Sequence, residues 1–226
     1  MPNIDLVIFD CDGVLIDSEP LSAAAFIAEL QRQDIDIPQS LFFERMIGRS
    51  FEQAVTTIYE VSGKVPHDGF KDAFRSALLA RFETSLQPIK GIEFLLQQLV
   101  TSVCVATSSD PVRAARSLAL TGLDHYFGTH VFTASMVQNG KPAPDLFLHA
   151  AEQFSIKPER CLVIEDSGYG LMAAKAAGMQ AWHFTGGGHF SLGYSVPEEI
   201  PRDRTFKDMA NLLKAAEALG LVHPSS

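Results

Sequence analysis

The chain has 226 residues, 46% of them apolar and 20% charged, with a formal net charge of -9. That composition excludes a disordered or low-complexity chain, and the acidic balance argues against a broad footprint for nucleic acid or anionic lipid. No apolar run approaches the ~18 residues of a membrane helix, and Met1 to Ile4 lacks the charged opening of a signal peptide. The expectation is therefore a cytoplasmic protein, a monomer or weak dimer, whose partner is a small molecule rather than nucleic acid or a membrane.

In chain order, Ile4 to Phe9 reads as a first buried strand. Beyond Asp10-Cys11-Asp12-Gly13, the segments Leu21 to Gln31, Leu41 to Met46, Phe51 to Tyr59 and Gly69 to Phe82 place apolar residues at three- and four-residue steps, the period of helices. This stretch of about 75 residues far exceeds the 2 to 6 of an ordinary strand-to-helix connection. A helical module over residues 17–87 is thus expected to interrupt an α/β domain made of residues 1–16 and 88–226. Helices Gly91 to Leu99, Pro111 to Leu120, Pro144 to Phe154 and Gly168 to Ala177 then alternate with strands Val103 to Ala106, His130 to Thr133, Leu162 to Ile164 and Gln180 to Phe184. Asp110 before Pro111 is a helix cap followed by proline at the first helical position. Five short strands alternating with helices predict a Rossmann-like parallel sheet covered on both faces. Gly186, Gly187 and Gly188 read as a surface turn, and Cys11, Cys104 and Cys161 as reduced, buried small hydrophobes.

The chemistry gathers at strand ends. Asp10 and Asp12 are two residues apart where the first strand runs out, so they should share one face at the carboxyl edge of the sheet, where open α/β sheets bind ligands. Carboxylates this close call for a cation, a shared proton or a raised pKa, and Gly13 lets the backbone turn beside them. Ala106-Thr107-Ser108-Ser109 ends the second strand with hydroxyls and N–H groups ahead of a helix, a setting for an anion. Lys141 precedes Pro142, and Glu165-Asp166 ends the fourth strand. Each alone is more often a cap, a turn or a solvated charge; together they converge on one site. Hard carboxylate oxygens without a His or Cys set select Mg²⁺, and the seven histidines read as ordinary core or surface residues. Phosphate-ester transfer uses all these parts: a carboxylate nucleophile, Lys141 and Thr107 on the equatorial oxygens, and Asp12 to protonate the leaving alkoxide and then deprotonate water.

Asp10-Cys11-Asp12-Gly13, Thr107 after an apolar strand, Lys141-Pro142 and Glu165-Asp166 resemble, in order, the four motifs of the haloacid dehalogenase superfamily. The helical insertion after the first motif is similar to the subgroup of beta-phosphoglucomutase and many small-metabolite phosphatases, and Pro88-Ile89-Lys90-Gly91 resembles its return to the core. The resemblance implies a five-stranded core with the site between core and cap and Asp10 as nucleophile. It also implies Mg²⁺ held by the Asp10 carboxylate, the Asp12 backbone carbonyl and the Asp166 carboxylate, and leaves open whether Glu165 holds the metal or only orients it. The dehalogenases lack the second aspartate, so Asp12 favours phosphoryl chemistry. Against a mutase, Ser22 stands where beta-phosphoglucomutase has a histidine, and Gly48-Arg49-Ser50-Phe51 departs from its cap pattern. Arg49, Glu19, Ser22 and Ser108 are the candidate substrate contacts, with Ser18 as a helix cap. The expected activity is Mg²⁺-dependent hydrolysis of a small phosphorylated metabolite, a phosphosugar or sugar-acid phosphate, with a phosphosugar mutase as the alternative.

A dinucleotide-binding module is a different class of reading, because Gly168-Tyr169-Gly170-Leu171-Met172-Ala173 matches G-x-G-x-x-A. It fits poorly, since Glu165 and Asp166 would face the pyrophosphate and Trp182-His183-Phe184-Thr185 offers no acid for a ribose.

Overall fold

The computed structural model describes residues 3–47 and 51–223. Its elements, in chain order, are β1 (Leu6–Phe9), α1 (Glu19–Gln31), α2 (Gln39–Arg45), α3 (Phe51–Ser62), α4 (Phe70–Ser85), α5 (Ile92–Gln98), β2 (Ser102–Thr107), α6 (Pro111–Leu120), α7 (Asp124–Phe127), β3 (Val131–Thr133), α8 (Asp145–Gln153), β4 (Cys161–Glu165), α9 (Gly168–Ala176), β5 (Gln180–Phe184), α10 (Gly188–Ser191), β6 (Arg204–Phe206) and α11 (Met209–Glu217). The strands form one parallel sheet in the order β3-β2-β1-β4-β5-β6. The order reverses beside β1, and a crevice opens at the carboxyl ends of β1, β2 and β4.

Six strands stand where five were expected. β6 escapes a reading by apolar runs because Arg204-Thr205-Phe206 is short, lies at the edge of the sheet and is largely exposed. The central strands have no such ambiguity, because strict alternation sends their side chains to two cores. Val7, Phe9, Val105, Ile164 and Trp182 pack on one face with Leu118 and Leu212, while Leu6, Ile8, Cys104, Val163 and Ala181 pack on the other with Phe147 and Leu171. The three cysteines are free and buried, as expected.

Helices α1 to α4 lie between β1 and α5 and have a separate core of Phe26, Leu30, Phe42, Phe43, Ile58 and Phe70. The outgoing and returning chains cross side by side: the Asp17 N–H donates to the Gln87 carbonyl (3.0 Å) and the Ile89 N–H to the Leu15 carbonyl (2.9 Å). Gly186 to Gly188 is not the surface turn expected. Gly187 is buried, a Cβ there would come within 3.0 Å of the Gly13 carbonyl, and the Gly188 N–H donates to Asp17 Oδ1 (2.9 Å). The triglycine is a close-packed joint under the turn that carries the acids.

Candidate active site

Each site residue is delivered by the end of a strand or the start of the next helix, except Lys141, which comes from the loop between β3 and α8. Asp10 follows β1 and its N–H donates to the Ile164 carbonyl of β4 (2.9 Å). The chain then doubles back through Gly13 at φ 78°, where the Gly13 N–H reaches the Ile16 carbonyl (2.8 Å). A Cβ on Gly13 would lie 1.9 Å from Asp166 Oδ2, so only glycine lets the two acidic strand ends approach.

Lys141 ties the floor together. Its Nζ donates to Asp10 Oδ1 (2.7 Å), Glu165 Oε1 (2.7 Å) and the Ala106 carbonyl (2.9 Å), with its side chain 4% exposed. Burial works against the ammonium, yet Asp10 and Glu165 hold it protonated and raise its pKa. Thr107, at the tip of β2, is buried and accepts from the Ser109 N–H (3.1 Å). Carboxylate oxygens of Asp10, Glu165 and Asp166 all lie within 4.8 Å of one another. Burial pushes Asp10 well above its usual carboxylate range against the pull of Lys141, with Glu165 and Asp166 adding to the rise. Asp166 is likewise raised by burial and then by Glu165 and Glu19. Buried acids that resist ionisation together are short of positive charge, and the hard oxygen donors fit Mg²⁺.

Glu165 differs from the other two. Its Oε2 accepts from the Ser167 N–H (2.7 Å) and Oγ (3.0 Å), and its Oε1 accepts from Lys141, so both oxygens are engaged by the protein. A Cβ at Gly170 would sit 1.7 Å from Glu165 Oε1. The second glycine of the G-x-G-x-x-A match therefore makes room for a carboxylate, not for a pyrophosphate.

Asp12 is engaged by donors that sequence reasoning did not assign to it. Ser18 Oγ donates to Oδ1 (2.5 Å), Arg113 to Oδ1 (2.6 Å) and Ser109 Oγ to Oδ2 (2.6 Å). Burial alone would raise the Asp12 carboxyl, but the Arg113 guanidinium and the two hydroxyls hold it below its ordinary value. Ser18 is thus corrected from a helix cap: it occupies the position before α1 but makes no capping bond with its side chain. Arg113 lies three residues after Asp110, which does cap α6 by accepting from the Arg113 N–H (3.0 Å). A lone arginine in a first helical turn reads as solvated; its guanidinium instead sits over the Phe82 ring at 5.5 Å and reaches Asp12. His183 and His189 are also missed. The His183 Nε2 lies 3.2 Å from the Asp166 carbonyl and its Nδ1 3.1 Å from Arg202, while His189 Nε2 is 3.0 Å from Asp166 Oδ2.

These groups floor a cavity of about 620 Å³ whose other wall comes from α1 to α4. Glu19, Ser22 and Ser108 line it, and the buried Ser22 hydroxyl has no protein partner. Arg49 lies outside the described residues.

Comparison with known proteins places this geometry in context. A family model described as haloacid dehalogenase-like hydrolase matches residues 4–178. The 6-phosphogluconate phosphatase of Escherichia coli is 26% identical over 97% of this chain and 98% of its own length. Fructose-1-phosphate phosphatase YqaB from the same organism is 32% identical, covering 77% of this chain and 93% of its own. A family hydrolase from Deinococcus radiodurans, solved with bound phosphate and sodium, superimposes with a TM-score of 0.82 at 28% identity and full coverage of both chains.

Proposed function

The chain belongs to the haloacid dehalogenase-like hydrolases, and on that premise we propose that it is a Mg²⁺-dependent phosphatase of small phosphorylated metabolites working through a phosphorylated Asp10. The observation that carries this reading is Lys141 bonded to both Asp10 and Glu165, with Asp166 in coordinating reach, on the floor of a cavity. Residues 17–87 are the cap and the remainder the core. The Asp10 and Asp166 carboxylates and the Asp12 backbone carbonyl would hold the metal, and Glu165 positions Lys141. The metal, when bound, neutralises charge on the nucleophile and the phosphoryl group.

Asp10 attacks phosphorus while the ester oxygen leaves with a proton from Asp12. Lys141 and the hydroxyl of Thr107 hold the equatorial oxygens. Water then attacks the phosphorus of the aspartyl phosphate, gives its proton to Asp12 and releases phosphate, restoring both acids. The donors around Asp12 favour its ionised form, which suits the second half. In the first half Asp12 must carry a proton, so binding of the ester has to loosen that grip.

The substrates named for the two relatives, 6-phosphogluconate and fructose 1-phosphate, are the first esters to assay. Phosphate release should require Mg²⁺, stop with EDTA and be lost in Asp10→Asn. An Asp10→Asn protein with unchanged turnover would defeat the reading, and interconversion of sugar-phosphate isomers without phosphate release would replace it with a mutase.

A further inference from the structure

The cap wall of the cavity differs in character from its floor. Ile47, Phe51, Phe74 and Leu79 line the cavity and are only half-buried, and the buried Met46 and Leu78 line it with them. Phe74 stands edge-on to Phe26 at 5.2 Å and Phe51 lies 5.8 Å from Phe70, so the wall is continuous with the aromatic core of the cap.

Among the described residues, the polar side chains that the cap adds to this cavity are Glu19, Ser22, Lys71 and Arg75. Glu19 and Ser22 belong to the start of α1, close in sequence to the acids. Lys71 sits over the Phe51 ring at 5.1 Å and 3.8 Å from Glu52, and Arg75 lies 3.7 Å from Asp110. Among the described residues, the far part of the cavity therefore offers a polar group only these two half-exposed cations, each already turned toward a carboxylate. A polyol chain pressed against it would surrender water at several hydroxyls and gain few bonds in return, whereas a flat apolar group would bury surface and meet ring faces and edges.

We infer that the preferred substrate is a phosphate monoester of a primary alcohol carrying an aromatic ring, the ring lying against Phe51 and Phe74 and the unpartnered Ser22 hydroxyl meeting a polar atom near the ester. This rests on the phosphatase reading and narrows the alcohol part away from the plain sugar expected from sequence.

The test separates the two claims by measuring binding apart from turnover. Asp10→Asn protein in Mg²⁺ is titrated calorimetrically with 2-phenylethyl phosphate, 6-phosphogluconate and fructose 1-phosphate, all esters of primary alcohols. The expected result is binding of the aromatic ester at least ~10-fold tighter than either sugar ester, in the range a hydrophobic pocket discriminates. Phe51→Gln and Leu79→Gln, each checked for an unchanged thermal transition, should narrow that ratio at least ~3-fold, since each removes apolar wall and leaves the acids in place. Equal or tighter binding of the sugar esters, or a ratio unmoved in the variant that keeps its thermal transition, overturns the inference. Absence of Mg²⁺-dependent turnover of every ester by the unaltered enzyme is a separate result that overturns the phosphatase reading instead.

Discussion

Asp12 is the residue on which the two half-reactions turn, and its surroundings set how it behaves. Arg113 and two hydroxyls keep it ionised. Arg113→Gln should raise its pKa, so the acidic limb of the pH–rate profile moves to higher pH and kcat falls by about 10-fold at the lower end of the working range, within the scale of acid/base assistance. A profile superimposable on the original would show that Arg113 does not govern Asp12. His183 offers a stability test. Arg202 donates to its Nδ1, leaving the proton on Nε2 facing the Asp166 carbonyl, a neutral tautomer. Burial first, and then Arg202, lower its pKa to about 4 from 6.5. Because the folded state takes this proton later than the unfolded state, the contribution of His183 to stability is fully present above pH 6.5 and is lost as pH falls toward 4, by up to about 3 kcal/mol. Denaturant titrations at pH 7 and pH 4.5 should show a smaller acid-induced loss in His183→Gln than in the parent. Asp10 and Asp12 were legible because they sit next to a strand end in a short motif, and Lys141 because it stands in a proline-stiffened loop before α8. Arg113 and Ser18 were not, because their partner lies 101 and 6 residues away and helix-start residues usually have a local job.

At the scale of elements, the junction of β4 and α9 fixes both Glu165 and Lys141. The Ser167 side chain caps α9 by accepting from the Gly170 N–H (3.1 Å) while its own hydroxyl donates to Glu165, so helix start and acid are locked together. Gly170→Ala would drive a methyl into the Glu165 carboxylate. We expect a loss of about 2 kcal/mol in stability, typical of overpacking, and a fall in kcat larger than any change in KM, read from thermal unfolding and steady-state kinetics. Strand and helix identities in this region follow from apolar periodicity, which is why β4, α9 and β5 were legible. β6 and the triglycine joint were not: one lacks an apolar run, and the other owes its packing to Asp17, 171 positions earlier in the chain than Gly188.

For the molecule as a whole, the fold brings four acids of a net-negative chain to one point and supplies Lys141 and Arg113 against them. Among the described residues no helix is long and apolar enough to cross a membrane. Asp10 and Asp166 have raised pKa values, so their contribution to the stability of the metal-free protein is fully present below the ordinary carboxylate range and is lost as pH rises through those raised values. Mg²⁺ should cancel that decline, and its shift in Tm should be larger at pH 8 than at pH 5; an equal shift at both would mean that the metal binds elsewhere.

The central claim is that the acid cluster passes the phosphoryl group through Asp10 in two displacements. It is tested most directly by turning over a phosphorothioate monoester made chiral at phosphorus with two oxygen isotopes, in water enriched in the third, and determining the configuration of the inorganic thiophosphate released. Two in-line displacements invert twice, so net retention is predicted. Net inversion, the mark of direct attack by water, would contradict the account.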